Sequence, residues 1–114
     1  MTTARAPYYL DCDTGIDDAL AIAYLLAAAA DESAGIEIVG IGSVSGNVSA
    51  AVGALNTLDL ISLSGRDDIP VAVGAHHPQG GSFRGGAPHV HGANGIGDVE
   101  IGRASCRERV SSVV

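Results

Sequence analysis

Short apolar runs alternate with longer segments of helical periodicity along this chain. Residues 7–10, 36–41 and 71–73 are rich in apolar, largely β-branched or aromatic side chains and predict strands. Between them, apolar residues recur at helical spacing over residues 19–26 and 48–58. Because alternating strands and helices build parallel sheets with right-handed crossovers, the order predicts an α/β fold. We expect an open, mainly parallel, Rossmann-like sheet with helical crossovers.

The predicted helices have recognisable ends. Asp17 and Asp18 occupy the first turn of the first helix, and Gly35 follows it as a stop. Asn47 is the predicted N-cap of the second helix. Residues 74–97 form a Gly-, His- and Pro-rich stretch that is too long for an ordinary connector, so we predict a functional loop there.

Composition limits the size of the fold and its partners. The 114 residues allow one domain, and a core without Trp and with only four aromatic residues must be built from Ala, Val, Ile and Leu. The net charge of −7, with six Arg against 13 acidic residues, argues against nucleic acid and anionic membranes as partners. No apolar run approaches the ~20 residues of a membrane span, and no signal peptide is visible, so we expect a cytoplasmic protein.

Four carboxylates lie within eight residues at the end of the first predicted strand. Asp11, Asp13, Asp17 and Asp18 would repel one another if they converged without a counter-ion. A hard cation such as Ca²⁺ or Mg²⁺ selects such oxygens, and Gly15 allows the chain to turn tightly between the two pairs. Capping of the following helix explains one or two of these acids but hardly four.

Three other motifs fit the sequence poorly. An EF-hand loop starting at Asp11 needs an acid or Asn at its fifth position and Gly at its sixth, where this chain has Gly15 and Ile16. A phosphatase of the haloacid dehalogenase type needs Thr or Val at position 15. The paired glycines at 80–81 and 85–86 lack the Lys and Ser/Thr of a phosphate-binding P-loop.

The motif Asp-x-Asp-x-Gly-x-Asp-Asp-Ala at residues 11–19 resembles the opening motif of nucleoside hydrolases. Residues 44–47, Val-Ser-Gly-Asn, are similar to the Val-x-Gly-Asn loop of that family. Residues 91–97 resemble its His-Gly-x-x-Gly-x-Gly segment. The three motifs occur in the family's order, and the resemblance covers residues 7–99.

The resemblance implies Ca²⁺-dependent hydrolysis of the N-glycosidic bond of ribonucleosides, in purine or pyrimidine salvage. It implies that Asp13 and Asp18 bind Ca²⁺ and that Asp13 also accepts the proton of the attacking water. By the same resemblance, Asp17 and Asn47 bind the sugar. His91 can line the pocket for the base or the ribose, although a His in a Gly-rich loop is more often exposed or capping. Asp11 has a supporting role, orienting its neighbours through hydrogen bonds.

Other expectations concern the whole protein. Nucleoside hydrolases are considerably longer than this chain, so the resemblance places the remaining metal ligands and leaving-group contacts in a C-terminal part. It also implies a homo-oligomer for the full-length protein. Ala93 and Asn94 differ from the polar or acidic residues common in the family, which leaves the substrate preference open. The alternative function is a small acidic module that binds a cation or a sugar without catalysis.

The last residues differ in character from the rest of the chain. Residues 1–100 carry three Arg and twelve acids, a balance of −9, whereas residues 101–114 carry three Arg and one acid, a balance of +2. Residues 101–110 also back-translate to ATCGGAAGAGCGTCGTGTAGGGAAAGAGTG, a common sequencing-library adapter. We therefore predict that residues 1–100 belong to the nucleoside hydrolase domain and that residues 101–114 are a non-native tail.

Overall fold

Strands and helices alternate as the sequence predicts. The computed structural model describes residues 4–101 and the backbone of residues 110–112. The strands are β1 (Ala6–Cys12), β2 (Ile36–Ser43), β3 (Val71–Val73) and β4 (Val110–Ser112). The helices are α1 (Ile16–Ala30), α2 (Ala50–Leu63) and α3 (Pro88–His91), with a one-turn 3-10 helix at Glu32–Ala34.

The sheet is parallel throughout the described strands, in the order β1-β2-β3-β4. Leu10 pairs with Ile41, and Ile41 pairs with Val71, so the first three strands end at the same edge. A shift in register between Tyr8 and Tyr9 interrupts the β1–β2 ladder. The predicted α/β fold with an open parallel sheet is confirmed.

Strand β4 lies within the segment predicted to be a non-native tail. Its backbone pairs with β3, with Val110 opposite Val71. Cys106 and the arginines of the tail lie outside the described residues. The foreign origin of this segment stays a prediction, which the nucleotide sequence of the uninterrupted gene tests.

Helices α1 and α2 pack on each other and against the same face of the sheet. This arrangement follows from two right-handed crossovers that step in the same direction along the sheet. The core between the layers is aliphatic, as the composition predicts, although Ala23 of the predicted apolar stripe is exposed. Its principal members are Ile22, Leu26, Ile38, Ile41, Leu58, Ile61, Ile69 and Val71.

The start of α2 differs from the prediction. Ser49, rather than Asn47, is the N-cap, and its hydroxyl accepts a hydrogen bond from the Val52 N–H at 3.2 Å. Asn47 lies two residues earlier, where its backbone N–H is bonded to the Asp13 carboxylate instead. The predicted cap was wrong because Asn47 is held by a contact with a distant part of the chain.

The ends of two other elements also differ in detail. Helix α1 ends at Ala30, and Gly35 terminates the following 3-10 helix with a left-handed φ of 66°. The long loop predicted at residues 74–97 contains the single helical turn α3, which begins with Pro88 and ends before Gly92. A turn of four residues is too short to produce a periodic pattern in the sequence.

The face of the sheet opposite α1 and α2 carries small residues and one large ring. The Tyr9 ring lies across Gly40 and Gly42, where any Cβ atom would crowd it. Tyr9 is nevertheless 59% exposed, and the neighbouring Val39 is 45% exposed. Among the described elements, the two long helices therefore cover only one side of the sheet.

Candidate active site

The acidic cluster lies at the carboxyl end of β1, in the turn that leads into α1. Asp11 is still in the strand, Asp13 is in the turn, and Asp17 and Asp18 are in the first turn of α1. Position at the ends of parallel strands is typical of functional sites in open α/β sheets. We refer to residues 11–18 as the carboxylate turn.

Asp13 forms one hydrogen bond through its carboxylate and another through its backbone N–H. Its Oδ2 atom accepts a hydrogen bond from the Asn47 N–H at 3.0 Å, from the loop after β2. The N–H of Asp13 donates to Oδ2 of Asp18 at 3.2 Å. The structure therefore brings together three of the residues predicted for the site: Asp13, Asp18 and Asn47.

Burial and neighbouring charge change the proton affinities of Asp18 and Cys12. Burial and the neighbouring Asp13 raise the pKa of Asp18 above its ordinary value, because the charged form loses hydration and meets like charge. Burial, followed by the charges of Asp18, Asp11 and Asp13, raises the pKa of the Cys12 thiol to about 11.

Two glycines permit the close approach of the segments that form the site. A Cβ atom at Gly15 would lie 2.6 Å from His91 Nδ1 and 2.7 Å from Asn47 Nδ2. A Cβ atom at Gly46 would overlap the Asp13 carboxylate. The glycines therefore allow the loops that carry Asn47 and His91 to pack directly on the carboxylate turn.

His91 is buried at the amino end of α1, with 9% of its surface exposed. Its Nδ1 atom accepts a hydrogen bond from the Ile16 N–H at 3.0 Å. An accepting Nδ1 carries no proton, so this bond selects the neutral ring with its proton on Nε2. The ring also lies 4.0 Å from Oδ1 of Asp17. His91 thus caps α1 and borders the carboxylate turn.

The other predicted residues lie nearer the surface. The Asp17 side chain is 78% exposed and is accessible to a ligand. Asp11 is exposed on the strand, and within residues 4–101 no hydrogen bond joins its carboxylate to a neighbour; its effect on Cys12 is electrostatic. His76, His77 and His89 are exposed.

Three buried polar residues beneath the carboxylate turn were not predicted. Thr14, Asn56 and Thr57 are fully buried. The hydroxyl oxygens of Thr14 and Thr57 are 2.8 Å apart, and Asn56 Nδ2 donates to the Thr14 carbonyl at 3.4 Å. Polar residues within a helix are usually solvent-exposed, so the sequence contained no sign that these two positions of α2 support the site.

The carboxylate turn provides the type of ligand that a hard cation prefers, but it provides too few ligands to complete a site. Asp13 and Asp18 are adjacent and provide anionic oxygens, the donors that Ca²⁺ prefers. Calcium takes about six to eight oxygen ligands. Within the described residues, no group of three or more His, Cys, Asp or Glu side chains is arranged to hold a metal ion. The described part of the chain therefore provides part of a cation site.

A cavity of about 170 Å³ adjoins the site on the side of Asn47. Its lining includes the apolar side chains of Val48, Val52, Phe83 and Pro88. It places an apolar surface next to the polar groups of the carboxylate turn, as small-molecule sites commonly do.

Over the described residues, no helix has both the length and the apolar character to cross a membrane.

Fold and carboxylate turn together define an α/β protein of the nucleoside hydrolase class. The family model described as inosine-uridine preferring nucleoside hydrolase matches residues 8–112. The chain belongs to this family of N-ribosyl nucleoside hydrolases. The match extends through strand β4 and so includes most of the segment predicted to be a non-native tail.

Individual relatives show the same relationship. Uridine nucleosidase 1 of Arabidopsis thaliana is 42% identical over 92 residues, which are 81% of this chain and 26% of that protein. A purine-preferring ribonucleoside hydrolase from Gardnerella vaginalis superposes with a TM-score of 0.73 at 35% identity, over 88% of this chain and 31% of that structure. An uncharacterised protein of Corynebacterium ammoniagenes is 40% identical over 92 residues, 81% of this chain and 94% of its own length. The chain thus spans about a quarter to a third of the two named hydrolases.

Proposed function

We propose that this chain provides the amino-terminal part of the active site of a Ca²⁺-dependent hydrolase that cleaves ribonucleosides to ribose and free base. The observation that carries the proposal is the orientation of Asp13, whose carboxylate is held by the Asn47 N–H beside Asp18. A carboxylate fixed in this way can accept a proton from a water molecule that attacks the anomeric carbon. Family membership supports the same reaction.

Asp13 and Asp18 would hold the Ca²⁺ ion together with ligands from the rest of a full-length protein. When bound, the cation supplies positive charge that offsets the repulsion between these carboxylates and acidifies nearby water. Asp13 keeps its role as proton acceptor because the Asn47 N–H occupies only one of its lone pairs. The negative charge of the turn also stabilises the positive charge that develops on the ribose during cleavage.

Binding of the sugar is assigned to groups at the edge of the turn. The exposed Asp17 carboxylate can accept hydrogen bonds from ribose hydroxyl groups, and the Asn47 amide lies beside Gly15 on the same side. His91 presents its protonated Nε2 as a donor once Nδ1 is bonded to the Ile16 N–H. Asp11 acts on these groups through its charge.

We further propose a role in nucleoside salvage and assembly of the full-length protein as a homo-oligomer.

The first test is hydrolysis of inosine and uridine by a full-length protein that carries this segment. Replacement of the base, Asp13→Ala, is expected to lower kcat by more than about 100-fold. Asp31→Asn is the matched control, because Asp31 is an exposed carboxylate just after α1. Normal turnover in the Asp13→Ala protein would contradict the proposed base.

The second test is calorimetric titration of the 114-residue chain with Ca²⁺, compared with Asp18→Asn. Weak binding that the substitution abolishes is expected if Asp13 and Asp18 contribute ligands. Calcium binding together with a complete lack of nucleosidase activity in the full-length protein would favour the alternative, a non-catalytic cation-binding module. The two measurements therefore separate the metal site from the reaction.

A further inference from the structure

The buried Asn56 side chain joins two loops of the candidate site. Its Nδ2 atom donates to the carbonyl oxygen of Thr14 at 3.4 Å and to that of Asn94 at 2.8 Å. Thr14 follows the proposed base Asp13, and Asn94 lies three residues after His91. One amide group on α2 therefore bonds both the carboxylate turn and the segment from His91 to Asp98, which we call the His91 loop.

The orientation of this amide is determined by its surroundings. Rotation by 180° would place Oδ1 against the two carbonyl oxygens, and an oxygen cannot donate to either of them. In the observed orientation, Asn56 Oδ1 is buried and has no hydrogen-bond partner within the described residues. Buried polar atoms are rarely unpaired. The Asn56 side chain thus directs both N–H groups of Nδ2 at the two loops, while its Oδ1 atom remains unpaired within the described residues.

The adjacent Thr57 holds only one of the two loops. Its hydroxyl donates to the Gly53 carbonyl at 2.9 Å, so its oxygen accepts the proton of the Thr14 hydroxyl across 2.8 Å. Thr57 therefore anchors the carboxylate turn but makes no bond to the His91 loop in the described structure. The contrast between Asn56 and Thr57 allows the two anchoring functions to be separated experimentally.

Hydrogen bonds within the segment from His91 to Asp98 connect Asn94 to His91. Asn94 Oδ1 accepts hydrogen bonds from the N–H groups of Ile96 and Asp98, at 3.0 and 2.8 Å. The Gly97 N–H donates to the His91 carbonyl at 2.7 Å. A Cβ atom at Gly95 would lie 2.6 Å from Val48 Cγ1, so the loop is closely packed on the segment before α2.

We infer that Asn56 is a positioning residue that sets the separation between the carboxylate turn and His91. The inference rests on the proposed function, since this separation aligns Asp13 and Asp17 with the ring that borders the sugar site. Asn56 is fully buried, so neither bulk solvent nor a substrate reaches its side chain. It acts by holding Thr14 and Asn94 on one helix.

The test uses the 114-residue chain and its ring and amide nitrogen NMR signals. Asn56→Leu has a similar volume and removes both donors. In this variant the His91 nitrogens are expected to lose the pattern of a single neutral tautomer, and the Ile16 amide is expected to exchange with solvent about tenfold faster than in the parent chain. Thr57→Val should retain the His91 pattern because it leaves the bond from Asn56 to Asn94 in place.

Leu58→Ala is the matched control for general destabilisation, since Leu58 is fully buried on the same helix but has an apolar side chain. If Asn56→Leu and Leu58→Ala lose the single-tautomer NMR signals of His91 to the same extent, the inference is overturned. It is also overturned if Asn56→Leu keeps these signals. Should Asn56→Leu fail to fold, Asn56→Ser provides the same test with a side chain too short to reach both carbonyls.

Catalysis provides a separate readout in the full-length protein. Asn56→Leu is expected to lower kcat/KM for a nucleoside at least tenfold, whereas Leu58→Ala leaves it nearly unchanged at temperatures where both variants are folded. If the parent protein cleaves no nucleoside, the proposed function fails while the NMR measurement still decides the role of Asn56. A changed His91 signal without any change in kcat/KM of an active enzyme would also contradict the inference.

Discussion

The Cys12 thiol reports on burial, and then on the negative charge, at the carboxylate turn. With a pKa of about 11, it carries very little thiolate at pH 8, where an ordinary thiol with a pKa of about 8.5 is partly ionised. We expect iodoacetamide to modify Cys12 at least about 100-fold more slowly in the folded chain than in guanidinium chloride. Peptide mapping distinguishes Cys12 from Cys106, and equal rates in both conditions would show that the thiol is not perturbed.

Individual residues of the site were predictable where their chemistry is unusual for their position. Four carboxylates in eight residues require an explanation from the sequence alone, and the structure does place Asp13 beside Asp18. Asn56 could not be predicted in the same way. Its importance lies in two carbonyl groups that are 42 and 38 residues away in the chain. Only the folded arrangement shows that they meet.

At the level of elements, the cap of α2 gives a clear prediction. Replacing Ser49 by Ala removes the acceptor for the Val52 N–H and should lower the free energy of unfolding by about 1 kcal/mol. Asn47→Ala is the control, because Asn47 bonds Asp13 through its backbone and provides no cap. Chemical denaturation of the three chains provides the measurement. A larger loss in Asn47→Ala than in Ser49→Ala would contradict this assignment.

Prediction of the elements succeeded for type and order but less well for their ends. Apolar runs identified strands β1 to β3, and helical periodicity identified both long helices, whose buried residues belong to the core. Strand β2 continues to Ser43, beyond the predicted residue 41, since its last residues pair with both β1 and β3. Such pairing depends on neighbouring strands, and local composition does not reveal it.

At the level of the whole molecule, the core is one-sided. Parallel sheets are usually covered on both faces, whereas Tyr9 and Val39 remain largely exposed here. The chain also spans only 31% of the hydrolase structure from Gardnerella vaginalis. A small core of this kind leads us to expect an unfolding free energy at or below the lower end of the usual range, about 5 kcal/mol.

The stability of the metal-free chain should depend on the ionisation of Asp18. Its pKa is higher in the folded than in the unfolded chain, so the folded chain binds more protons at pH values just above the ordinary aspartate pKa of about 3.9. Stability therefore falls as the pH rises through that window. In EDTA at pH 7, Asp18→Asn should be more stable than the parent, by less than about 1 kcal/mol because solvent screens the charge of this partly buried side chain.

Thermal unfolding between about pH 3 and pH 7 tests this prediction. The difference between Asp18→Asn and the parent should disappear near pH 3, where the carboxyl group is protonated in both states. Asp31→Asn should show the opposite sign, because hydrogen bonds from Ser33 lower the pKa of Asp31. A parent chain that is more stable than Asp18→Asn at neutral pH would refute the prediction.

The bond between the Ile16 N–H and His91 spans 75 residues of sequence and therefore has a consequence for synthesis on the ribosome. Strand β1 and helix α1 leave the exit tunnel long before His91 is translated. Contacts of such high sequence separation form late, since the intervening chain must first be ordered. During translation, the carboxylate turn of each nascent chain remains without its histidine until α3 has emerged.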